Sequence, residues 1–167
     1  MQFDPAIVRA SFVLPLGRMV LAATAQGLAG VWFAGQRHLP AMDRWPEDPA
    51  HALLREAARQ LDDYFAGRRA RFALPLDLRA GTAFQQSVWR ALLAIPHGST
   101  ASYGAVSEGI GKPAAVRAVG AAIGRNPLSV VVPCHRVLGT GGALTGYAGG
   151  LARKSALLRL EGVEAVA

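Results

Sequence analysis

The chain contains one cysteine, Cys134, which stands between a proline and a histidine in the stretch VVPCHRVLG. A cysteine thiolate is a nucleophile, and a neighbouring base or positive charge activates it by lowering the pKa of the thiol. His135 and Arg136 are the candidates for that base and that charge. The alternative is structural, because free cysteine is among the most buried residue types and an apolar run precedes this one. Cys134 is therefore either a reactive nucleophile or a packed core residue.

Two features beside the thiol favour reactivity. Pro133 fixes the backbone just before it, and the segment GTGGALTGYAGG that follows is rich in glycine, which permits tight turns and close approach of a flat ligand. In an extended chain successive side chains point to opposite sides, so His135 reaches the sulfur only through a bend or a bridging water. We therefore expect a ligand site at Cys134, with His135 acting on the thiol indirectly.

A carboxylate near the end of the chain departs from a helix rule. GLARKSALLRLEG has the pattern of an amphipathic helix that stops at Gly162, and Glu161 lies in its last turn. The helix dipole disfavours an anion at that end. Either Glu161 is a tolerated surface residue, or it faces inwards and orients a histidine. The second interpretation gives a Cys-His-Glu arrangement in which each group positions the next.

The elements that precede these residues are mainly helical. Thr82 and Gln85 form the T-x-x-Q pattern of a capping box, which predicts a helix that ends before Pro96. SYGAVSEGIG then predicts a short helix from Ser102, and AAVRAVGAAIG predicts a second one with Pro113 in its first turn. Two short helices joined by a tight glycine-containing connection indicate a helix-turn-helix.

The second of these helices has unusually small side chains, with Arg117 as its one long polar residue. Its alanines are Ala114, Ala115, Ala118, Ala121 and Ala122. Small residues allow close helix packing, which is one interpretation, or close approach to DNA, which is the other. A helix about 10 Å wide enters a minor groove of roughly 6 Å only if the groove is widened. On DNA, Arg117 would project towards the base stack.

The first half of the chain has a different character. ASFVLPLGRMVLAATAQGLAGVWFAG predicts two or three short antiparallel strands, and HALLREAARQLDDYFAG predicts an amphipathic helix that stops at Gly67. RFALPLDL predicts one further strand, and LRAGT looks like a linker. The sequence thus predicts an α/β domain over residues 1–80 and a mainly α domain over residues 81–167.

Composition narrows the possible functions. The formal net charge is +7, and residues 82–167 carry eight Lys and Arg against three Glu, whereas residues 1–81 carry ten against eight. This excess reflects either codon bias and solubility or attraction to a polyanion such as nucleic acid. One cysteine forms no internal disulfide and no cysteine-rich zinc site, so we expect no structural metal, and the histidines His38, His51, His97 and His135 leave only weaker metal possibilities open. Without a secretory signal or a membrane span, the chain is expected to be cytoplasmic.

Several motifs together resemble one family, the O6-alkylguanine-DNA alkyltransferases, also called methylated-DNA–protein-cysteine methyltransferases. PCHRV, RAVG, RNP, GYAGG and the terminal LEG occur in this family's order across residues 117–162. The likeness extends back through FQQSVWRALLAIPHGSTASYG and, more loosely, into the first half. It implies a ribonuclease H-like α/β domain followed by a winged-helix-like domain that contains the helix-turn-helix.

The resemblance also implies a role for each matching residue. Cys134 matches the alkyl acceptor, His135 its water-linked base, Glu161 the carboxylate that orients the histidine, and Asn126 the brace of the active-site turn. Arg117 matches the finger that replaces an extruded nucleotide, and Tyr103 matches a tyrosine that assists protonation of the leaving guanine and crowds the flipped phosphate. The remaining matches are DNA contacts at Ala115, Ala118 and Ala121, and pocket residues Val137, Tyr147, Ala148, Gly149 and Gly150.

The implied function is direct repair of DNA. The alkyl group of O6-alkylguanine moves irreversibly to Cys134, once per molecule, with O4-alkylthymine left open as a second substrate. No cofactor is implied, and the partner is double-stranded DNA contacted in its minor groove by a monomer, with cooperative binding left open. Ala148 replaces a small hydroxyl residue of some members, so only its backbone N–H remains to donate. The alternatives are a non-catalytic binder of alkylated DNA and a cysteine hydrolase.

Overall fold

The chain forms two compact units, Met1–Gly81 and Thr82–Ala167. The computed structural model describes residues 1–164, so the last three residues of the predicted second domain lie outside it. Across residues 1–164 no helix has both the length and the apolar character needed to cross a membrane.

The first unit is built on a three-stranded antiparallel sheet in the order β1-β2-β3. The strands are β1 (Val8–Leu14), β2 (Gly17–Thr24) and β3 (Gly27–Phe33). Leu21 pairs with Ala10 on one side and with Val31 on the other, and all three are buried. The predicted small antiparallel sheet is confirmed, and it contains three strands.

One helix, α1 (Ala52–Phe65), packs against the three strands of this sheet. Its buried positions include Leu54, Ala57, Leu61 and Tyr64, which recur every three or four residues as an amphipathic helix requires. The helix stops just before Gly67, which adopts a φ of 73°. The predicted helix and its glycine stop are confirmed.

The predicted strand RFALPLDL is wrong. Residues 71–78 contain only one isolated parallel bridge, between Leu28 and Leu76. The Leu28 N–H donates to the Pro75 carbonyl at 2.8 Å, and the Asp77 N–H donates to the Leu28 carbonyl at 2.8 Å. Proline has no N–H and therefore cannot extend such a ladder. The apolar alternation in this segment reflects contact with the sheet edge rather than a strand.

Over residues 82–164, the described part of the second unit, the chain forms four α-helices and a minimal sheet. The helices are α2 (Ala83–Leu93), α3 (Tyr103–Gly109), α4 (Val116–Gly124) and α5 (Leu151–Leu160). A parallel pair of two-residue strands, β4 (Ala101–Ser102) and β5 (Val137–Leu138), joins distant parts of the chain. The helical second half that the sequence predicts is confirmed.

Side-chain caps explain where α2 and α3 begin. The Thr82 hydroxyl accepts the Gln85 N–H at 3.2 Å, and the Gln85 side chain accepts the Thr82 N–H at 3.0 Å, so the predicted capping box is present. Ser102 caps α3 through the Ala105 N–H at 3.0 Å. In the middle of α2, the Trp89 indole N–H donates to the Ala122 carbonyl at 2.9 Å and connects α2 to α4.

The start of α4 differs from the prediction. Pro113 lies in a turn rather than in the first turn of the helix, which begins at Val116 with Ala115 as its N-cap. The Ala115 N–H donates to the Lys112 carbonyl at 2.9 Å and closes that turn. The connection from α3 to α4 is consequently longer than predicted, and Ala115 precedes the helix.

Candidate active site

The sulfur of Cys134 lies in a buried turn that Asn126 braces. Asn126 Nδ2 donates to the sulfur at 3.1 Å and to the Val132 carbonyl at 2.8 Å, while its Oδ1 accepts the Leu128 N–H at 2.9 Å. Within this turn Val130 has a φ of 73°, which is unusual for a β-branched residue and strains the backbone. The side chain of Asn126 therefore holds together a turn that the backbone alone does not favour.

Residues Cys134–Arg136 form one turn of 3-10 helix rather than extended chain. The Arg136 N–H donates to the Pro133 carbonyl at 3.0 Å, and the Val137 N–H donates to the Cys134 carbonyl. The chain therefore bends at Cys134 and His135. Among the described residues, Asn126 donates a hydrogen bond to the sulfur.

His135 is fully buried and contacts the carboxylate of Glu161. The His135 Nε2 and Glu161 Oε1 atoms are 2.8 Å apart, and both side chains are inaccessible to solvent. An ionised carboxylate only accepts hydrogen bonds, so this contact requires the ring hydrogen on Nε2 and leaves Nδ1 as the basic nitrogen. Glu161 faces inwards, and the histidine-orienting alternative describes its geometry.

Arg136 binds the same carboxylate with its guanidinium fork. Its Nε donates to Glu161 Oε2 at 2.8 Å and its Nη2 donates to Glu161 Oε1 at 2.9 Å. Its Nη1 donates to the Ile95 carbonyl at 2.6 Å, and the Gly98 N–H donates to Glu161 Oε2 at 3.3 Å. A buried carboxylate needs such a cation and such donors to remain charged without water.

Burial dominates the ionisation of both candidate reacting groups, Cys134 and His135. It raises the pKa of the Cys134 thiol, although the Asn126 hydrogen bond and the charge of Lys154 act in the opposite direction. Burial also lowers the pKa of His135, against the influence of Glu161. The expectation that His135 and Arg136 lower the pKa of the thiol is wrong, because both bind Glu161. Both shifts favour the uncharged form, a neutral thiol and a neutral imidazole.

Lys154, from the middle of α5, is also fully buried. Its Nζ donates to the carbonyls of Val137 at 2.5 Å, Thr145 at 2.6 Å and Gly146 at 3.2 Å. Burial lowers the pKa of Lys154 to about 8, while the Cys134 sulfur acts to raise it. The cation thus joins β5, the glycine-rich segment and the surroundings of the thiol.

Tyr103 begins α3 and is half-buried beside the same segment. Its phenol donates to the Thr145 carbonyl at 3.4 Å. A Cβ atom on Gly146 would lie 3.2 Å from the phenol oxygen, and one on Gly120 would lie 3.7 Å from the ring. Burial raises the pKa of Tyr103, so the phenol keeps its proton at neutral pH.

The exposed face of α4 carries the predicted contact residues. Arg117, Ala118 and Ala121 are all exposed, and Val116 adds an exposed apolar side chain to them. Ala115, by contrast, is half-buried at the N-cap, and Ala122 packs inside the unit. The exposed face of α4 is therefore short, has mostly small side chains and carries the positive charge of Arg117.

The predicted pocket residues follow the thiol along the chain. Val137, Tyr147 and Gly149 are buried, Ala148 is half-buried and Gly150 is exposed at the N-cap of α5 with a φ of 91°. An adjacent cavity of about 740 Å³ is lined by other residues, including Ser102, Tyr103, Gly120, Leu138, Gly139, Gly142 and Thr145. It is an open depression between the first turns of α3, the middle of α4 and the glycine-rich segment.

Sequence reasoning missed Lys154 and the partner of Arg136. One signal for Lys154 was present, since Lys154, Leu157, Leu158 and Glu161 are spaced i, i+3, i+4 and i+7 and therefore share one face of α5. A lysine on an apolar face needs buried partners. No comparable signal identifies the contact of Arg136 with Glu161, because 25 residues separate them.

Together these groups can move a proton and support a nucleophile. His135, the candidate base, lies in the same 3-10 turn as the Cys134 thiol. Glu161 contacts His135, and Arg136 contacts Glu161. Within residues 1–164 no group of three or more His, Cys, Asp or Glu is placed to hold a metal ion. The arrangement therefore fits nucleophilic attack by sulfur, assisted by general-base removal of its proton.

Two family models match the chain, one over each unit. Residues 7–78 match the model described as 6-O-methylguanine DNA methyltransferase, ribonuclease-like domain. Residues 83–163 match the model described as 6-O-methylguanine DNA methyltransferase, DNA binding domain.

Individual proteins match over nearly the whole length. The methylated-DNA–protein-cysteine methyltransferase of Mycobacterium leprae is 51% identical over 148 residues, which cover 88% of this chain and 87% of that protein. The protein of the same name from Methanosarcina acetivorans is 48% identical over 92% of this chain and 97% of its own length. A crystal structure of Mycobacterium tuberculosis OGT in complex with DNA superposes with a TM-score of 0.87, at 47% identity and 92% coverage of each chain.

Proposed function

This chain belongs to the 6-O-methylguanine DNA methyltransferase family, and from that premise we propose that Cys134 is its alkyl acceptor and that His135, Glu161, Asn126 and Tyr103 assist the transfer. The activity is repair of DNA by transfer of an alkyl group to a cysteine of the protein itself. The observation that supports these roles is the single buried cluster that contains the thiol, its brace and the His135–Glu161 pair.

The first chemical step is removal of the thiol proton. His135 has Nε2 on Glu161, so Nδ1 takes the proton from Cys134 through one water. The resulting imidazolium is stabilised by the carboxylate, and the thiolate by the Asn126 hydrogen bond. In the free protein, burial disfavours both the Cys134 thiolate and the His135 imidazolium. The proton therefore moves when the alkylated base occupies the site.

The second step is displacement at the alkyl carbon. The sulfur forms a bond to that carbon while the bond from carbon to guanine O6 breaks, and the electron pair leaves with the guanine. Tyr103 donates a proton to the departing base, and the proton held by His135 restores the phenol. The thiol proton thus ends on guanine, and the protein retains S-alkylcysteine. A thioether is a very poor leaving group, so each molecule reacts once.

The alkylated nucleotide must leave the duplex to meet the sulfur. Unstacking costs a few kcal/mol, which a poorly paired damaged base reduces. Arg117 projects from the exposed face of α4 and fills the space that the nucleotide leaves, while Ala118 and Ala121 allow the helix to approach a widened minor groove. Ala115 contributes from the preceding turn.

The flipped guanine is held beside the glycine-rich segment. Val137 and Tyr147–Gly150 supply backbone donors and acceptors for its edge, and the N–H of Ala148 serves the O6 position. The protein acts on double-stranded DNA as a monomer and needs no cofactor. Its free thiol suits the reducing cytoplasm, where disulfides are rare. Residues 81–167 form the domain for DNA binding and alkyl acceptance, and residues 1–80 the companion α/β domain.

Mass spectrometry tests the acceptor. Incubation with a duplex that contains O6-methylguanine should add one methyl group, on the Cys134 peptide, with one guanine restored per protein molecule. Cys134→Ala should abolish transfer and keep duplex binding, because the DNA contacts lie on α4. Arg159→Ala, which removes an exposed side chain from α5, is the matched control and should react normally.

The outcomes separate this function from its rivals. Binding of the alkylated duplex without any mass change would indicate a non-catalytic lesion binder. Repeated turnover on an ester or amide would indicate a cysteine hydrolase. Methylation of a residue other than Cys134 would overturn the assignment of the acceptor.

A further inference from the structure

Lys154 is the buried cation for which the transfer chemistry above gives no positional role. Its side chain has no exposed surface, yet lysine is almost never fully buried unless it is paired. The described partners of its Nζ are three backbone carbonyls, those of Val137, Thr145 and Gly146. A lysine ammonium has three hydrogens, so these contacts use its full donor capacity.

The three carbonyls belong to two different pieces of chain. Val137 lies in β5, directly after the turn that contains Cys134. Thr145 and Gly146 lie in the glycine segment, residues 139–150, whose conformation depends on several positive φ angles, among them Gly141, Gly142 and Gly150. Glycine confers conformational freedom and makes such a segment costly to order. Lys154 therefore joins the glycine segment to β5.

The segment held in this way also positions Tyr103. The Thr145 carbonyl that accepts from Lys154 Nζ accepts from the Tyr103 phenol as well, at 3.4 Å. The Gly139 N–H donates to the Ala143 carbonyl at 2.8 Å and closes the segment upon itself. Movement of residues 145 and 146 would consequently displace the phenol and reshape the cavity that Tyr103, Gly139 and Thr145 line.

The charge of Lys154 also acts on the two reacting groups. It stabilises the thiolate of Cys134 and disfavours protonation of His135. The titratable groups that face the ammonium are these two, from the 3-10 turn, and Tyr103, from α3 at the shared carbonyl. A cation in this place lowers the cost of forming the nucleophile in a site where burial disfavours the thiolate.

We propose that Lys154 is a positioning residue for alkyl transfer: it fixes the glycine segment and Tyr103 in their reactive arrangement and supplies the positive charge that the Cys134 thiolate requires. The inference rests on the proposed role of Cys134. On this proposal, one ammonium group serves both binding and chemistry. The glycine segment that encloses the substrate and the Cys134 sulfur that attacks it both depend on Lys154.

Three variants separate the two contributions. Lys154→Met removes the charge and the donors at similar length, Lys154→Arg keeps a cation with donors, and Arg159→Met removes an exposed cation from the same helix as the matched control. Hydrogen exchange at residues 143–147 measures how firmly the segment is held. The pH at half-maximal alkylation of Cys134 by iodoacetamide measures the charge effect. Neither measurement involves DNA.

Lys154→Met should reduce the exchange protection of residues 143–147 at least about tenfold. It should reduce the single-turnover rate on methylated duplex by a similar factor. A factor of this size corresponds to the loss of one charge-assisted hydrogen bond. The same variant should move the alkylation midpoint to higher pH. Lys154→Arg should restore the midpoint more fully than the protection, and Arg159→Met should change neither. Protection within twofold of the wild type together with an unchanged midpoint would overturn the proposal.

A measurement on the unmodified protein covers the case in which Lys154→Met does not fold. Because burial lowers the pKa of Lys154 to about 8, the wild type at pH 9.5 should lose protection at residues 143–147 relative to pH 7, after correction for intrinsic exchange, while α2 keeps its protection. Equal protection at both pH values would overturn the role of the ammonium. Wild-type transfer to Cys134 is measured separately, so a failure of the proposed acceptor remains distinguishable.

Discussion

At the scale of single residues, the site is a set of buried polar groups that satisfy one another. Glu161 binds both His135 and Arg136, and Asn126 binds both the sulfur and the turn around it. Because these groups are shielded from water, each lost partner leaves another group uncompensated. Chemistry and local stability therefore depend on the same contacts.

Glu161→Gln tests this dependence. The change leaves the Arg136 cation without its counter-charge, so the free energy of unfolding should fall by about 3–5 kcal/mol, as when one partner of a buried pair is removed. The transfer rate should fall about a hundredfold, since the imidazolium loses its stabilisation. Urea unfolding and single-turnover kinetics measure the two effects. Glu164→Gln, at an exposed position, is the control and should behave as the wild type.

The pH dependence of the transfer rate of Glu161→Gln tests in which direction Glu161 shifts the pKa of His135. Burial lowers the pKa of His135 while Glu161 raises it. The wild-type rate should therefore stay level down to about pH 6.5, the ordinary pKa of histidine, and fall only below it, when the base becomes protonated. Removal of the Glu161 charge should move this acid limb to still lower pH. A limb that moves to higher pH would contradict the His135–Glu161 assignment.

At the scale of elements, each unit places its important side chains with short elements whose ends are fixed by specific hydrogen bonds. The cap at Ser102 starts α3 at Tyr103, and the turn before Val116 aims Arg117 outwards at the start of α4. In the first unit, a buried carboxylate at Asp77 ties residues 77–79 to the end of β2 through Thr24. These contacts determine where the elements begin and end.

Arg117→Ala tests the role of α4. The variant should repair methylated duplex about tenfold more slowly and react with free O6-benzylguanine at nearly the wild-type rate, because only the duplex requires a flipped nucleotide. Arg125→Ala removes an equal charge from the other end of α4 and should have the smaller effect on duplex repair. An equal loss on both substrates would rule out the finger role. Second-order rate constants give the comparison.

Asp77→Asn tests the carboxylate of the first unit. Asp77 accepts the Thr24 hydroxyl at 2.6 Å and the Arg79 guanidinium at 2.7 and 2.8 Å, and Arg79 holds the pKa of Asp77 well below its usual range. The variant should lose about 1–3 kcal/mol of stability at pH 7. A depressed pKa contributes stability that is present above the unfolded pKa and is lost as pH falls through the folded value. The difference from the wild type should therefore narrow below about pH 4.

Urea unfolding at pH 7 and pH 3 measures this difference. Asp43→Asn, at an exposed position, serves as the control and should be close to neutral at both pH values. A difference between wild type and Asp77→Asn that is as large at pH 3 as at pH 7 would show that the carboxylate charge contributes nothing.

At the scale of the whole molecule, charge determines how the chain meets its partner. The net charge of +7 is concentrated in residues 82–167, the half that matches the DNA-binding model. Neutralised phosphates release counterions, which makes association depend on salt rather than on base sequence.

Binding by Cys134→Ala, which cannot react, should weaken steadily as salt rises. The slope of log affinity against log salt should be roughly −0.9 for each phosphate neutralised, so three or more contacts predict a slope steeper than about −2.5. Fluorescence anisotropy on duplexes of two unrelated sequences measures it, and both should give the same slope. A slope near zero, or one that differs strongly between sequences, would refute a phosphate-based interface.

The sequence by itself determined most of the elements and the candidate reacting pair. Capping at Thr82 and Ser102, glycine stops and apolar spacing are local, so they predicted the helices and the first sheet. Cys134 and His135 are adjacent in the chain, and Glu161 was marked by its unfavourable position at a helix end. Neighbours in sequence and violations of a local rule are visible without coordinates.

Only the tertiary structure decided which groups satisfy one another inside the second unit. It replaced an extended chain at Cys134 with a 3-10 turn, moved Arg136 from the thiol to Glu161, and revealed Lys154 beneath the glycine segment. Contacts between residues 17 to 26 positions apart depend on how the elements pack, and burial then reverses the pKa shift that local charges suggest. A buried polar group needs hydrogen-bond partners, and the fold decides which groups lie close enough to serve. The periodicity of the sequence does not show which groups these are.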